Sequence, residues 1–268
     1  MINNNCGFIG SAKYFNGEQW AQLKDYRSGD KVLQYCSNGV GVLVEPTEFK
    51  IYRDNETMFQ YPVACSNGTL TRGHRLIYRD EPSNPFTKEI RLYMVREGSK
   101  YWLPATCEWD RGGNYLGLSE IGENLLCCSK PLTEEFRVKV LSLSLKDRLL
   151  FLSRIFTGNM YYSDDLEKLT FVADLLALSN EAHYMQSRKN NIGFVQWYSI
   201  GRLNTGVGYS KLFKPEYHWR GISTKRYEMF SEVINKKKYF ITVPSGMIIL
   251  KFCSHIVVVG DSRGRIIF

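Results

Sequence analysis

Three apolar runs near the carboxyl end of this chain are separated by short polar segments. Tyr239–Val243, Met247–Phe252 and Ile256–Val259 are rich in β-branched and aromatic residues, which favour strands. The Pro-Ser-Gly at 244–246 is a turn signal, because proline and glycine adopt the dihedral angles that turns require. The last run stops at the Gly-Asp-Ser of 260–262. The pattern therefore predicts three strands followed by a short polar segment.

The amino-terminal third also has the composition of short strands. A strand-like segment over 8–15 precedes a turn signal at 16–17, and Trp20–Leu23 is predicted to form a short helical turn. Lys31–Tyr35 follows a Gly-Asp pair and is predicted to be a strand. Further strands are predicted at Val40–Val44, Glu48–Tyr52, Met58–Val63 and Lys88–Val95.

The hydrophobic period changes to that of a helix over Lys146–Asn159. Large apolar residues recur there every three or four positions instead of every second one. A second helix is predicted over Leu166–Leu178, with Ser163 or Asp164 as its N-cap. The strands predicted to follow are Ala182–Met185 and Phe194–Ile200.

The segments on either side of these helices have weaker patterns. Tyr101–Pro104 is predicted to be a hydrated aromatic turn, and residues 201–226 are predicted to be a basic loop. Tyr115–Leu118, Cys127 and Cys128 are predicted to pack inside. None of these segments suggests a chemical role.

Composition narrows the class of protein. The chain has 268 residues, 44% hydrophobic and 14% aromatic, which is enough to bury a substantial core. No run of about 18 apolar residues predicts a membrane span, and the amino terminus lacks the pattern of a signal peptide. The seven cysteines show no CxxC spacing, so we expect no disulfide scaffold, no metal, no cofactor and a reducing, cytoplasmic location.

The formal net charge of +8 suggests affinity for a polyanion, but the basic residues are spread along the chain. Lys236–Lys238 is the one basic run, and it is either a solvated loop or a nucleic-acid contact. The aromatic and basic cluster Tyr217–Arg220 has two interpretations as well. It would suit contact with phosphates and bases, or it would pack as an aromatic hinge.

Four short elements occur in an order that carries chemical information. A thiol at Cys6 precedes the first strand-like segment, GDKVL occupies 29–33, and Thr71 and His74 form a Thr-x-x-His before an apolar strand. The Gly-Asp-Ser of 260–262 closes the series. Alone, an early cysteine is more often an inert buried thiol, and Thr-x-x-His is common. In this order the elements resemble the Hint splicing domain of inteins, and the closing strands resemble the phage-borne group.

This resemblance implies a fold and a domain organisation. The fold would be mainly β, a Hint-type horseshoe formed by both chain ends, with a mixed α/β insert. Residues 6–261 would then be a self-excising element. The implied parts are an N-extein remnant at 1–5, the splicing domain at 6–95 and 227–261, the insert at 96–226 and a C-extein remnant at 262–268.

The resemblance also implies roles at the amino-terminal junction. The thiol of Cys6 would attack the carbonyl of Asn5 and convert that amide into a thioester, since thiolate is the most available nucleophile near neutral pH. His74 would protonate the departing amine as a general acid. Thr71 would hold the carbonyl or the oxyanion by hydrogen bonding.

At the carboxyl-terminal junction the resemblance comes with departures from the family. The hydroxyl of Ser262 would accept the acyl group, and residue 261 would cyclise onto its own carbonyl to free the element. The family has asparagine there, whereas this chain has Asp261, so cyclisation would pass through an anhydride and would be slow or blocked. Gly260 stands where many inteins have an assisting histidine, and His255 is the nearest alternative. Phe240 replaces a polar residue of the family.

The helical insert resembles one half of a LAGLIDADG homing endonuclease, with Leu152–Met160 aligned to the motif. The position of the metal-binding acid is Asn159, and a position that is small in the family is Arg154. Because a neutral amide binds Mg²⁺ poorly, we expect nuclease activity to be lost. A structural insert with no role on DNA is an equally good interpretation.

Two alternatives remain open at this stage. The first is a DNA-binding protein of endonuclease descent, in which the β-core is a scaffold and Cys6 has no chemistry. The second is a Hint relative that cleaves itself without ligation. The expected partners are the chain's own flanking exteins and, through the basic insert, DNA. We expect a monomer that does not associate with membranes.

Overall fold

The structure is a computed structural model of the chain. The residues that it describes are 7–37, 39–53, 57–63, 66–71, 73–80, 88–91, 100–104, 106–112, 131–181, 183–189, 195–202, 219–223, 231–233, 237–252 and 255–262. Several residues named above lie outside this set: Asn5, Cys6, Tyr115–Leu118, Cys127, Cys128, Lys236, Tyr217 and His218.

Strands dominate the described residues, which confirms the predicted mainly β fold. They form nineteen strands, three α-helices and a short 3-10 helix at Leu23–Asp25. The strands, β1 to β19 in chain order, are Phe8–Ile9, Lys13–Phe15, Trp20–Gln22, Val32–Tyr35, Gly41–Val44, Glu48–Arg53, Thr57–Val63, Ser66–Thr71, Arg75–Tyr78, Lys88–Arg91, Lys100–Pro104, Met160–Ser163, His183–Lys189, Val195–Arg202, Trp219–Ser223, Ser231–Val233, Lys237–Thr242, Met247–Phe252 and His255–Gly260. The helices, α1 to α3, are Glu134–Leu141, Leu145–Ile155 and Leu166–Leu178.

Two compact units make up the chain, one from its two ends and one from its middle. The first contains Met1–Ala105 and Trp219–Phe268, and the second contains Thr106–His218. The insert predicted from sequence, 96–226, extends beyond the second unit at both ends. The difference arises because β11 and β15 pair with each other along their whole length and belong to the first unit.

The two ends of the chain meet in one sheet of the first unit. Its strand order is β16-β7-β8-β1-β17-β6, so β1 lies between β8 and the late strand β17. The register of β1 with β17 is antiparallel and pairs Phe8 with Tyr239 and Ile9 with Lys238. On its other edge, Phe8 pairs with Leu70 of β8. This sheet therefore brings the start, the first quarter and the end of the chain together.

A second sheet of the first unit is built around β18. Its order is β3-β2-β18-β4-β5, and β19 also pairs with β18. All six residues of Met247–Phe252 are buried, which explains why the run is apolar at every position except Lys251 rather than alternating. The hairpin pairs Met247 with Gly260 and Phe252 with His255. Gly260 thus lies at the end of the last strand, next to the 244–246 turn.

Asp30 explains why a Gly-Asp pair precedes β4. Its Oδ2 accepts hydrogen bonds from the Tyr14 hydroxyl at 2.8 Å and from the Arg27 amide at 3.0 Å. Gly29 has a φ of +94°, which favours glycine. Burial, and then the bond to Asp30, raise the pKa of Tyr14. The pair therefore closes a turn and ties it to the core rather than taking part in chemistry.

Both predicted helices are present in the second unit, and Leu166–Leu178 has the predicted bounds. Its N-cap is Asp165, not Ser163 or Asp164, because the Asp165 carboxylate accepts from two amides of the first turn, that of Glu167 at 2.8 Å and that of Lys168. The helix predicted over 146–159 is shorter and spans Leu145–Ile155. It ends before a turn in which Gly158 has a φ of +62°, a conformation that no helix contains.

Two predictions of local structure are wrong, and in both cases pairing with distant residues decides. Trp20–Leu23 is not a helical turn, because Trp20–Gln22 pairs with β2 and the 3-10 helix begins only at Leu23. Tyr101–Pro104 is not a hydrated turn, because it pairs with Trp219–Ser223, a strand within the predicted basic loop. Of the helices in the described residues, none is long and apolar enough to cross a membrane.

Candidate functional site

A tight turn between β8 and β9 carries the two residues of the Thr-x-x-His motif. Thr71 is the last residue of β8, and the amide of His74 donates to the Thr71 carbonyl at 3.0 Å. Both side chains are fully buried. Because β8 pairs with β1, this turn lies beside the amino-terminal end of the chain.

Thr71 holds the residue that directly follows Cys6. The Gly7 amide donates to Thr71 Oγ1 at 3.2 Å, in a buried environment. Since the oxygen accepts in this bond, the Thr71 hydroxyl keeps its own hydrogen for a second acceptor. Cys6 and Asn5 lie outside the described residues, so the contact with Gly7 is the nearest described point to that junction.

His74 reaches the opposite end of the chain. Its Nε2 lies 2.7 Å from the carbonyl oxygen of Gly260. Because a carbonyl oxygen can only accept, Nε2 must carry the hydrogen, and Nδ1 then has a free lone pair. Nδ1 is buried and has no hydrogen-bond partner among the described residues. The edge of the Phe8 ring packs on the imidazole with a centroid distance of 4.7 Å.

Burial lowers the pKa of His74 to about 3, which outweighs the opposing effect of the hydrogen bond to Gly260. The positive charges of Arg75 and Arg91 lower it further. The imidazole is therefore neutral at pH 7. It can act as a general acid only after Nδ1 has first taken up a proton.

Asp261 is fully buried and both of its carboxylate oxygens accept hydrogen bonds. Arg75 Nη2 donates to Oδ1 at 3.0 Å, and the Val243 amide donates to Oδ2 at 2.9 Å. The Asp261 amide itself donates to the Gly246 carbonyl at 2.8 Å. Since three contacts hold one residue, the side chain is confined to a single position.

Ser262 is paired with one residue of β17 through both its main chain and its side chain. The Ser262 amide donates to the Ile241 carbonyl at 2.9 Å, and Ser262 Oγ accepts from the Ile241 amide at 3.0 Å. Ser262 is buried. The amide that would be broken, between Asp261 and Ser262, is thus fixed by β17 on the same sheet that contains β1.

Gly260 has no room for a side chain. A Cβ atom built on it would lie 2.8 Å from Arg75 Cβ and 3.1 Å from the Arg75 carbonyl oxygen. A histidine, which many inteins have at this position, would not fit. His255 begins the same strand, five residues away, which corresponds to about 16 Å along an extended chain. The structure therefore does not bring His255 to the 260–262 junction.

Sequence reasoning missed Arg75 and the backbone groups of 241–246. Arg75 is fully buried at the start of a strand whose next two residues, Leu76 and Ile77, are also buried. A charged residue inside an otherwise apolar strand, directly after the motif histidine, is the signal that could have identified it. The backbone contacts of Ile241 and Val243 had no such signal, because every residue has an amide and a carbonyl.

The residues of the predicted nuclease motif lie in the second unit. Arg154 is exposed on α2, and Asn159 lies in the turn between Thr157 and Met160. The Asn159 carbonyl accepts from the Arg202 amide at 3.0 Å. Within the part of the chain that the structure describes, no group of three or more His, Cys, Asp or Glu residues could hold a metal ion.

No protein-family model matches the chain, and no curated protein does. Among solved structures, it is similar to a splice-inactive variant of the AceL NrdHF class 3 split intein, with 10% identity over 97% of this chain and 99% of that one and a TM-score of 0.41. A variant of the Ssp DnaB mini-intein has 9% identity, coverages of 96% and 99%, and a TM-score of 0.42. The Mvu transcription factor IIB mini-intein has 10% identity over 96% of this chain and 99% of that one, and a TM-score of 0.40. At these low values, the function proposed next rests on this chain's own contacts.

Proposed function

We propose that this chain is a protein-splicing element of the intein type that excises residues 6–261 and joins the segments on either side. One observation carries the proposal. The Thr71–His74 turn contacts both ends of the element, since Thr71 binds the amide after Cys6 and His74 binds the carbonyl before Asp261. A turn that joins two distant ends of a chain suits a reaction between those ends.

The register of the first sheet supports a meeting of Cys6 with Ser262. Phe8 pairs with Tyr239, and each step toward the amino terminus along β1 moves one residue forward along β17. In the sequence, Cys6 precedes Phe8 by two residues and Ile241 follows Tyr239 by two residues. Ile241 is the residue whose amide and carbonyl both bond to Ser262.

In the proposed first step, the Cys6 thiol attacks the Asn5 carbonyl. A carbon–sulfur bond forms, the amide bond to the Cys6 nitrogen breaks, and that nitrogen leaves as an amine. His74, neutral in its buried site, takes the thiol proton at Nδ1 and passes it to the nitrogen. The Thr71 hydroxyl donates to the oxyanion of the tetrahedral intermediate.

In the proposed second step, the Ser262 hydroxyl attacks the thioester and releases the Cys6 thiol, which leaves a branched ester. Ser262 Oγ accepts from the Ile241 amide and so keeps its own hydrogen to lose in this step. The Asp261 carboxylate then attacks its own carbonyl, and the Ser262 nitrogen leaves as an amine. An oxygen-to-nitrogen acyl shift restores a normal peptide bond. The attack of Asp261 leaves a cyclic anhydride, which water then hydrolyses. All the other steps are intramolecular, so proximity supplies most of the acceleration.

The proposal extends to the finer features that the sequence suggests. The closing strands resemble those of the phage-borne group, and the second unit would be a passenger of homing-endonuclease descent without nuclease activity. The exposed Arg154 and the amide Asn159 support that loss, because neither offers a carboxylate for a hard cation. The partners would be the flanking segments and DNA, the protein would be a monomer, and the location would be cytoplasmic.

Intact-mass measurement of freshly purified protein, before and after incubation with a thiol at neutral pH, tests the proposal. Full splicing yields the ligated peptide MINNNSRGRIIF and an element of residues 6–261. Thiol-dependent release of MINNN alone would also show that Cys6 is an active nucleophile, and it would mean that the carboxyl-terminal junction reacts slowly. A Hint relative that only cleaves itself would release both flanks without joining them.

Matched variants separate splicing from incidental proteolysis. Cys6→Ala should abolish the release of MINNN, whereas Cys36→Ala, a change at a thiol away from the junctions, should leave it unchanged. Release that persists in C6A, or no release of MINNN from the unchanged protein over days with thiol, contradicts the proposal. Salt-dependent binding of duplex DNA without any release would favour the DNA-binding alternative.

A further inference from the structure

We propose that Arg75 is the residue that determines which two residues can end the element, and that it selects Gly260 and Asp261. The inference rests on the proposed function, since it concerns the carboxyl-terminal junction of that reaction. Arg75 is fully buried, and its contacts reach both residues: the guanidinium binds the Asp261 carboxylate, and its Cβ and carbonyl lie against Gly260.

The two described hydrogen-bond partners of the Asp261 carboxylate are both donors. Arg75 Nη2 points to Oδ1 and the Val243 amide points to Oδ2. A carboxylate accepts at both oxygens and donates at neither, so it matches this pair of donors. Arg75 also places a positive charge 3.0 Å from this fully buried carboxylate. The site is therefore complementary to aspartate.

Asparagine would be a poor fit in the same position. Its side chain has one acceptor and one NH₂ group, so either Arg75 or the Val243 amide would face a second donor. The buried guanidinium would also lose the Asp261 charge at 3.0 Å, which is closer than Glu89, at 3.6 Å from Arg75 Nη1. A buried charge that loses its partner is strongly destabilising. The asparagine that the family uses is thus the disfavoured residue here.

The same arginine sets the size of residue 260. Any side chain there would meet Arg75 at 2.8 Å, a contact that requires a shift of the β9 backbone or of Arg75 itself. Moving Arg75 would in turn displace its guanidinium from Asp261 and from the Gly246 carbonyl, to which Nη2 donates at 3.2 Å. The position of Arg75 therefore requires both a glycine at 260 and an aspartate at 261, and the two requirements are linked.

This arrangement defines the chemistry of the last step. An Asp261 carboxylate oxygen forms a bond to the Asp261 carbonyl carbon, the bond from that carbon to the Ser262 nitrogen breaks, and the nitrogen takes a proton from water. The product is a cyclic anhydride, which a water molecule opens to two carboxyl groups. Arg75 acts as a positioning residue, because its hydrogen bond holds the Asp261 carboxylate in one orientation.

Four proteins test the inference: the unchanged chain, Arg75→Met, Asp261→Asn and the R75M/D261N double variant. The measurement is the rate at which the peptide 262–268 is released, with hydroxylamine present to trap an anhydride as the hydroxamate of residue 261. We expect R75M and D261N each to slow release at least tenfold. In the R75M background, D261N should cause little further loss, because the donor it conflicts with is gone.

In the unchanged protein, the hydroxamate of residue 261 should form at the same rate as the peptide 262–268 is released. Arg75→Lys, which keeps the charge but not the planar donor group, should lie between the unchanged protein and R75M. The inference is overturned if D261N releases the peptide faster than the unchanged protein, or if the effects of R75M and D261N multiply independently. A merely structural Arg75 would produce that independence.

Where a variant releases no peptide, urea unfolding tests whether Arg75 favours aspartate over asparagine at residue 261. D261N should lower the unfolding midpoint in the Arg75 background and raise it, or leave it unchanged, in the R75M background. Equal shifts in both backgrounds would overturn the inference. Failure of the proposed function is recognised separately, because thiol-dependent release of MINNN at Cys6 does not require Arg75 to bind Asp261.

Discussion

Each of the two units buries an arginine completely, and the two arginines differ in what they bind. Arg75 in the first unit donates to the carboxylate of Asp261. Arg148 in the second unit donates to neutral acceptors, the Ser179 hydroxyl at 2.8 Å and the carbonyls of Trp109 and Leu178. Burial lowers the pKa of Arg148 to about 10, and its guanidinium lies 5.3 Å from the centre of the Trp109 ring.

The comparison separates a structural role from one in chemistry. Arg148 supplies donors to the carboxyl-terminal end of α3, whose last carbonyls have no partner within the helix. Every acceptor it satisfies belongs to a group that does not react. Arg75 instead binds the side chain that would cyclise, next to the bond that would break. Burial alone therefore does not identify a functional arginine; the partner does.

The largest effect on stability is expected from Arg148→Met. The substitution leaves buried carbonyls and a hydroxyl without a donor, and the free energy of unfolding should fall by about 3 kcal/mol, since each unsatisfied group costs roughly 1–3 kcal/mol. Urea unfolding followed by circular dichroism measures the change. The rate at which the folded fraction releases the peptide 262–268 should stay the same, and a slower release would end the contrast with Arg75.

Thr71→Val should have a smaller effect on stability and a specific effect on the amino-terminal junction. Valine has nearly the same shape but cannot accept from the Gly7 amide, so about 1–2 kcal/mol of stability should be lost. Release of MINNN should slow about tenfold, which corresponds to 1.4 kcal/mol. Intact-mass time courses measure it. Thr71→Ser, which keeps the hydroxyl, should restore the rate; equal rates in the valine and serine variants would refute the role of this hydroxyl.

His74 predicts a dependence of stability on pH. Its pKa is about 3 in the folded protein, below the unfolded value of about 6.5, so the unfolded chain takes up the proton first. The contribution to stability is complete above about pH 6.5 and is lost as the pH falls toward 3. Between pH 6 and 4 the free energy of unfolding should decrease by about 1.4 kcal/mol per pH unit through this group.

Comparison with a His74→Gln variant separates the pH dependence due to His74 from that due to the carboxylates. Between pH 6 and 4, the difference in free energy of unfolding between the unchanged protein and His74→Gln should decrease by about 1.4 kcal/mol per pH unit. A difference that stays constant from pH 7 to pH 4 would mean that His74 is not buried in its neutral form.

The smallest effect is expected from Glu135→Gln on α1. Glu135 pairs with Lys139 one turn away, and both side chains are well exposed. Water and salt screen such a pair, so the urea midpoint should not shift measurably. A shift as large as that of Arg148→Met would mean that an exposed ion pair contributes as much to stability as the contacts of a buried arginine.

Patterns of neighbouring residues identified many elements correctly. Met247–Phe252 and Leu166–Leu178 have the predicted bounds, because the first is apolar at every position except Lys251 and the second has a helical period and capping residues. The structure shows that Thr71 and His74, the residues of the Thr-x-x-His motif, contact Gly7 and Gly260 respectively. Wrong assignments occurred at Trp20–Leu23 and Tyr101–Pro104, whose conformation depends on strands far along the chain.

The sequence by itself determined many of the strands and helices, Met247–Phe252 and Leu166–Leu178 among them, and it suggested residues for acyl-transfer chemistry. Only the tertiary structure decided that Arg75, 186 positions from Asp261, is its partner, and that Ile241 receives Ser262. The physical reason is that hydrophobic periodicity and capping act over a few residues. Strand pairing joins backbone groups that all residues share, so its partners and register follow from the packing of the whole unit.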